Sequence, residues 1–464
     1  MSVNILRILY VLFCISSICS MSGLDAFQAM ITLVGIVLFI QQWKTRRPSV
    51  LQIHSLEGIG FGFLCFFVIV LLGWFFNSSH GVSYFEGLRK LKWIYNWYLG
   101  TSLFFLFPFQ SKNLKWVAGA LGFLGIYGLA VFFAGYDLIR GPSWYMHPTS
   151  EAVGASVRYG GLFGHPMTFS HVMLPLVMWI SGLCLVFLWQ YKGKFLQMKG
   201  ASRVVQPKES SSCDTHSWWL LLSVSGGALS ILLTFTRGVW LASAVGVLVM
   251  LFMLNKKWML SSLLMGLFLL FGLAKISPQF EDRLLSAVNI QHKHHDERKL
   301  VWRANFEMFK DYPWLGIGFK DNTRRLDEYY DRLQIPQTTI KSHAHNQFLQ
   351  VLATTGILGF LVYLLIWGRL IQLAFRNWKD LVKLNGKLSA EMSEKNSLLW
   401  MQGLSLGAIG AFAAFLVAGI SECNFDDAKV NYMLAFVVAS VMWVRSQIRS
   451  SAKDVGYSKD NVSN

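Results

Sequence analysis

His343, Ala344, His345 and Asn346 stand immediately before a long apolar run that contains Gly356. An imidazole at the water-facing mouth of a membrane helix is a titratable group where a lipid-facing helix needs none. Arg237, in Thr236-Arg237-Gly238-Val239-Trp240-Leu241, interrupts a second long stretch of apolar and small residues. A fixed cation and a base, both at expected membrane boundaries, suit an anionic substrate carried on a lipid. Arginine offers bidentate hydrogen bonds to phosphate oxygens and stays charged when partly desolvated. The other polar candidates are Arg89, Lys90, Lys92, Arg158, His165, Arg298, His343, Glu422, Asp426 and Asp427.

Each candidate also has a plain structural reading. Arg237 can be a cation snorkelling from a helix end, although Gly238 beside it permits a tight turn and close approach of a ligand. His345 can be a hydrogen-bonded helix cap assisted by Asn346; its competing roles are general base and metal ligand. In an extended chain His343 and His345 point to opposite sides, which argues against one shared metal. His292, His294 and His295 resemble a metal cluster in composition, yet they lack a cysteine or carboxylate at the usual spacing and read as a solvated loop. For Glu422, Asp426 and Asp427 the default is a solvated turn, and an acid–base pair is the alternative.

The elements that must position these groups are membrane helices. The 464 residues are 54% hydrophobic, 15% aromatic and only 14% charged, against about 25% charged in ordinary soluble proteins. The net charge of +17 does not indicate nucleic acid, because the basic residues lie between apolar runs and suit topology and anionic lipid. The six cysteines show no paired spacing, so neither a disulfide framework nor a zinc site is expected. Apolar runs predict an all-α polytopic membrane protein of about twelve spans. They fall near 4–21, 26–43, 58–76, 91–109, 116–135, 167–190, 218–236, 238–254, 258–276, 347–372, 398–418 and 429–445. The first is read as a retained span, since no convincing cleavage site follows it.

Lysine- and arginine-rich loops alternate with poorer ones, which puts both termini in the cytoplasm and every candidate site residue on the far side. The chain then divides into spans at 1–276, a long outer loop at 277–346, spans at 347–446 and a cytoplasmic tail at 447–464. Within the long loop, Asp296 can cap a helix from Glu297 to about Tyr312, with Val301, Ala304, Asn305 and Met308 on one face. Pro313, Gly316 and Gly318 end it.

In these residues the chain resembles the O-antigen ligase family, whose superfamily also holds O-antigen polymerases and protein O-oligosaccharyltransferases. The family's RxxxL motif reads here as Arg237-Gly238-Val239-Trp240-Leu241, and its HxxxxxxxxxxG motif runs from His345 to Gly356. Further likeness lies in Glu297-Arg298 with Trp302, in Tyr312-Pro313-Trp314-Leu315-Gly316-Ile317-Gly318, in Thr355-Gly356-Ile357-Leu358-Gly359 and in Phe425-Asp426-Asp427. The resemblance extends over residues 160 to 445, and the order of the motifs makes it specific.

The resemblance implies a glycosyltransferase of the bacterial inner membrane with a periplasmic active site. Its donor is a polysaccharide on undecaprenyl pyrophosphate, its acceptor a sugar hydroxyl of lipid A-core, and neither cofactor nor metal is required. Arg237 and Arg298 are then expected to stabilise the leaving pyrophosphate, with Arg158, Arg89 and Lys92 in support; Lys90 fits the same early basic position as Lys92. His345 is expected to act as a base or to position the donor, with inversion at the anomeric carbon. The alternatives are a polymerase, an oligosaccharyltransferase acting on protein, and, from another class, an anion transporter. The absence of inverted repeats counts against a transporter.

Overall fold

The computed structural model describes residues 59–77, 111–142, 158–163, 165–200, 218–276, 293–387 and 392–454, with a few isolated positions besides. The long elements among them are all α-helices: α1 (Ile59–Asn77), α2 (Ser111–Ala134), α3 (Pro166–Gly200), α4 (Trp218–Leu232), α5 (Arg237–Leu254), α6 (Lys256–Ile276), α7 (Lys293–Asp311), α8 (Leu326–Leu333), α9 (Gln347–Lys387), α10 (Met392–Ala418) and α11 (Ala428–Asp454). Seven helices among the described residues are long and apolar enough to cross a membrane: α1, α2, α3, α5, α6, α9 and α10. The expected spans at 4–21, 26–43 and 91–109, together with Arg89, Lys90 and Lys92, lie outside the described residues.

The expected span at 218–236 is cut to a 15-residue helix, α4. Its C-terminal residues leave the helix for other partners: the Leu233 carbonyl accepts from the Tyr159 N–H at 2.9 Å, and Phe235 takes a left-handed φ of 51°. Arg237 is therefore the first residue of α5 rather than the apex of a turn.

Helix α10 lies at the centre, packed on α3, α5, α9 and α11. Where it crosses α3 the backbones touch, because a Cβ built on Gly182 would overlap the main chain of Gly407. Small residues at such crossings let membrane helices gain dispersion contacts that lipid cannot supply. At the end of the bundle away from the candidate site, Arg445 Nη1 donates to Asp380 Oδ2 at 2.7 Å and Asn377 Nδ2 donates to the Val441 carbonyl at 2.9 Å, tying α11 to α9.

Helix α9 is broken at Gly356, which has φ 65° and ψ −170°. The break frees backbone groups that must find partners in an apolar setting. Residues 313–318 supply them: the Ile357 N–H donates to the Pro313 carbonyl at 2.8 Å, and the Ile317 N–H donates to the Ala353 carbonyl at 2.9 Å. The fit leaves no room for side chains, since a Cβ on Gly356 would strike the Trp314 main chain and one on Gly316 the Thr354–Thr355 peptide. The glycine that closes the His345 motif and the Pro-Trp-Leu-Gly-Ile-Gly loop are thus two halves of one joint. Gly356→Ala should cost about 2 kcal/mol or more through combined strain and overlap, lowering the melting temperature in detergent. Gly119→Ala, where a Cβ meets nothing within 4 Å, should leave it unchanged or raise it.

Helix α7 starts at Lys293, a turn before the expected Glu297, so Asp296 lies within its first turn instead of capping it. The expected inner face is found: Val301, Ala304, Asn305 and Met308 are all buried. They pack with Leu326, Tyr329 and Tyr330 of α8 and its start and with Ala353 of α9. This fixes α7 against the N-terminal part of α9, next to His345.

Candidate active site

The residues before α9 form the first part of the site. His345 has a left-handed φ of 47°, which costs a side-chain-bearing residue roughly 1–2 kcal/mol and persists only where neighbours hold it. The neighbours grip Ala344 from both sides. Trp302 Nε1 donates to the Ala344 carbonyl at 2.7 Å, and the Ala344 N–H donates to Gln350 Oε1 at 3.0 Å. Gln350 is held in turn by Asn322, which donates at 2.8 Å and accepts at 3.0 Å, and Asn322 donates to Asn305 Oδ1 at 2.7 Å. Asn346 caps the helix, its Oδ1 accepting from the Leu349 N–H at 3.0 Å.

The left-handed residue turns both imidazoles toward one carboxylate. His343 Nε2 lies 2.8 Å from Glu422 Oε1, and His345 Nδ1 lies 3.2 Å from Glu422 Oε2. The expectation that the two histidines point to opposite sides is therefore wrong, because it assumed an extended chain. The rings meet edge to face with centroids 4.3 Å apart.

Glu422 also departs from its default reading as a solvated turn residue: its side chain is 11% exposed. The loop that carries it is stitched to the start of α9 on both flanks. The Gln347 N–H donates to the Gly419 carbonyl at 2.6 Å, and the Phe425 N–H donates to Gln347 Oε1 at 2.7 Å. Phe425 anchors the loop from below, its ring against Phe66, Tyr363 and Trp367. Asp427 has a different task, accepting from the Lys429 N–H at 2.8 Å at the start of α11. It is a helix cap, not the partner of an acid–base pair.

Burial alone would raise the Glu422 pKa, but the hydrogen bond from His345 and the charges of His345, His343 and His171 outweigh it and hold the carboxyl at about 2. A carboxylate that stays ionised can only accept, so a neutral His345 keeps its proton on Nδ1 and presents the lone pair of Nε2. That nitrogen lies 3.0 Å from Ser342 Oγ. Because the folded pKa is depressed, the stability contributed by Glu422 is present above its ordinary value of 4.5 and is lost as pH falls from there through about 2. The difference in melting temperature between wild type and Glu422→Gln should accordingly shrink as pH falls from 4.5 toward about 2.

The cations reach the same place by separate routes. Gly238 packs so closely on Ser421 that a Cβ there would collide with its hydroxyl. Gly238 is helical, and what it lets approach is this neighbour of Glu422; the tight turn lies just before Arg237, at residues 233–235. Arg237, half-buried, is thus one residue from a segment that touches the carboxylate's own loop. Arg298 is near enough to Arg237 for their like charges to interact, and it lies one helical turn from Trp302, which holds Ala344. Arg158 Nε donates to the Thr234 carbonyl at 3.0 Å and its Nη2 to Thr236 Oγ1 at 3.3 Å, directly before Arg237. Arg237, Arg298, Arg158 and His345 therefore gather at one end of the bundle, where α4 and α10 end and α3, α5, α9 and α11 begin.

Leu241 is 62% exposed, and the packing role in its motif falls to Trp240, whose Nε1 donates to the Ile231 carbonyl at 3.3 Å. His165 is exposed just before α3. His294 and His295 belong to the first turn of α7, not to a loop, and His292 lies outside the described residues. Among the described residues, the group whose atoms could hold a metal ion is His343, His345 and Glu422, with ligand atoms within 4.8 Å of one another.

The arrangement brings arginines, two imidazoles and a buried carboxylate together on a scaffold of long apolar helices. A family model described as O-antigen ligase matches residues 216–364. Residues 216–364 are an O-antigen ligase domain. In that segment the chain is similar to O-antigen ligases and polymerases, glycosyltransferase-like enzymes that act on lipid-linked polysaccharides. No curated protein matches the chain. The O-antigen ligase domain includes Arg237, Arg298, Trp302, His343 and His345; Arg158 and Glu422 lie beyond its ends and complete the cluster from α3's approach and from the α10–α11 loop. Sequence reading undervalued Glu422, Gln350 and Asn322. For Glu422 and Gln350 the available signal was an acid or amide near the edge of an otherwise apolar run; Asn322, within the polar stretch Lys320-Asp321-Asn322-Thr323-Arg324, carries no such signal.

Proposed function

We propose that the protein is an O-antigen ligase, moving a finished polysaccharide from undecaprenyl pyrophosphate to a sugar hydroxyl of lipid A-core. It works in the bacterial inner membrane, with both termini in the cytoplasm and the site facing the periplasm. The observation that carries this reading is the convergence of Arg237 and Arg298 with the His345–Glu422 pair, joined through Gly238 and Ser421.

In the proposed reaction the acceptor hydroxyl gives its proton to His345 Nε2 as its oxygen attacks the anomeric carbon. The carbon–oxygen bond to the pyrophosphate breaks, and its electron pair leaves with the lipid diphosphate. Arg237 and Arg298 stabilise the charge that develops there, with fixed cations in a partly desolvated site acting as preorganised partners. Arg158 supports this set from the Thr234–Thr236 turn, and Arg89 and Lys92 are assigned the same supporting role. Glu422 holds the imidazole in the tautomer with a free Nε2 and stabilises the imidazolium formed. Attack opposite the departing pyrophosphate inverts the anomeric centre. No nucleotide sugar, cofactor or metal takes part.

Purified protein reconstituted with lipid-linked polysaccharide and lipid A-core, in the presence of a chelator, should yield polymer-bearing lipopolysaccharide and free undecaprenyl pyrophosphate. Lengthening of the polymer on its lipid carrier would instead identify a polymerase. Movement of lipid-linked substrate without a new glycosidic bond would identify a transporter.

A further inference from the structure

We propose that His343, His345 and Glu422 form a site for a divalent transition metal of the zinc type, and that filling it switches His345 out of the transfer reaction. The site is part of the proposed catalytic cluster, so its effect on transfer rests on that reading; its ability to bind metal does not.

Two imidazole nitrogens and a carboxylate are a donor set suited to zinc and its neighbours. The atoms are also close enough. Zinc at about 2.0–2.2 Å from each ligand holds tetrahedral ligands roughly 3.3 Å apart, and the carboxylate oxygens already lie 2.8 Å from His343 Nε2 and 3.2 Å from His345 Nδ1. A metal between them would replace the hydrogen-bonded protons with little movement.

The surroundings are those of a prepared ligand set. Metal-binding histidines usually engage a partner through the second ring nitrogen, and His345 Nε2 has Ser342 Oγ at 3.0 Å. The backbone between the two histidines is clamped by Trp302 and Gln350 at Ala344. Glu422 Oε1 accepts from the Cys423 N–H at 3.1 Å, which sets the carboxylate plane. His343, at 38% side-chain exposure, is the way in from water.

The consequence follows from imidazole chemistry. A ring that gives the Nδ1 lone pair to a metal carries its remaining proton on Nε2. Nε2 then donates to Ser342 Oγ instead of accepting, and it has no lone pair with which to take a proton from an acceptor hydroxyl. Metal binding and the base role are mutually exclusive on the same ring. Among the described residues the candidate ligand set holds one carboxylate, Glu422, so the site is suited to a reversible inhibitory ion rather than a permanent one.

The test is calorimetric titration of zinc into full-length, chelator-treated protein in detergent, with no sugar substrate present. About one zinc per chain is expected, and His343→Ala and Glu422→Gln should each weaken binding by more than about tenfold. Zinc should raise the wild-type melting temperature through linkage, and melts of both variants without zinc establish that they are folded. In the reconstituted reaction, saturating zinc should suppress wild-type transfer and a chelator should restore it. The proposal is overturned by the absence of saturable binding, by binding that survives in both folded variants, as zinc held by the His292–His295 segment would, or by transfer that continues in zinc-saturated protein. Because binding is read without substrate, a wrong assignment of the transfer reaction would leave the titration result intact.

Discussion

Arg237→Ala is expected to reduce transfer by about 10²–10³-fold, the scale seen when one preorganised partner of a developing negative charge is removed. The residue opens α5 half-buried, beside the loop that carries Glu422, and shares its surroundings with Arg298. Two like charges held near each other in a partly desolvated place repel, and a polyanion between them turns that repulsion into attraction. In a host lacking its own copy of the activity, the variant should let full-length lipid-linked polymer accumulate while polymer-bearing lipopolysaccharide disappears. Arg237→Lys should recover only part of the loss, since it keeps the charge and gives up the bidentate fork. Normal lipopolysaccharide from Arg237→Ala would remove the arginine from the mechanism.

His345→Ala should lower the rate by about 10²–10⁴-fold, the range for a positioned general base. The way the loss divides between constants distinguishes the two roles that sequence left open. A base acts in the transition state, so its removal lowers kcat with the donor KM unchanged, whereas a residue that positions the donor raises KM. The contact between His345 Nδ1 and Glu422, and the availability of Nε2, support the first pattern. Glu422→Gln should show the same kcat-dominated pattern at smaller amplitude, because it disturbs the tautomer without removing the ring.

Much of the scaffold was legible because apolar runs report burial or lipid contact directly. Arg237 and His345 were legible because polar residues at the edges of such runs have few ordinary reasons to be there. What sequence concealed depended on contacts across long separations. Glu422 meets His345 over 77 residues, and nothing local distinguishes it from a carboxylate in a wet turn. The pairing of His343 with His345 was misjudged for a different reason: a left-handed histidine reverses the alternation of an extended chain, and its stability comes from Trp302, Gln350 and Asn322, not from its own preference. Gly356 was visible as a motif position, yet its purpose lies in the loop at 313–318 that fills the helix break. The C-terminal boundary of α4 moved because Leu233 exchanged helical continuation for a bond to Tyr159.

The central claim is that Arg237 and His345 serve one lipid-diphosphate sugar. Electron cryomicroscopy of the His345→Ala variant, stalled with undecaprenyl-pyrophosphate-linked sugar, tests it most directly. The account predicts diphosphate density between the Arg237 and Arg298 guanidinium groups, with the anomeric carbon turned toward the space vacated by the imidazole. Diphosphate bound away from both arginines, or a sugar pointing away from position 345, would contradict it.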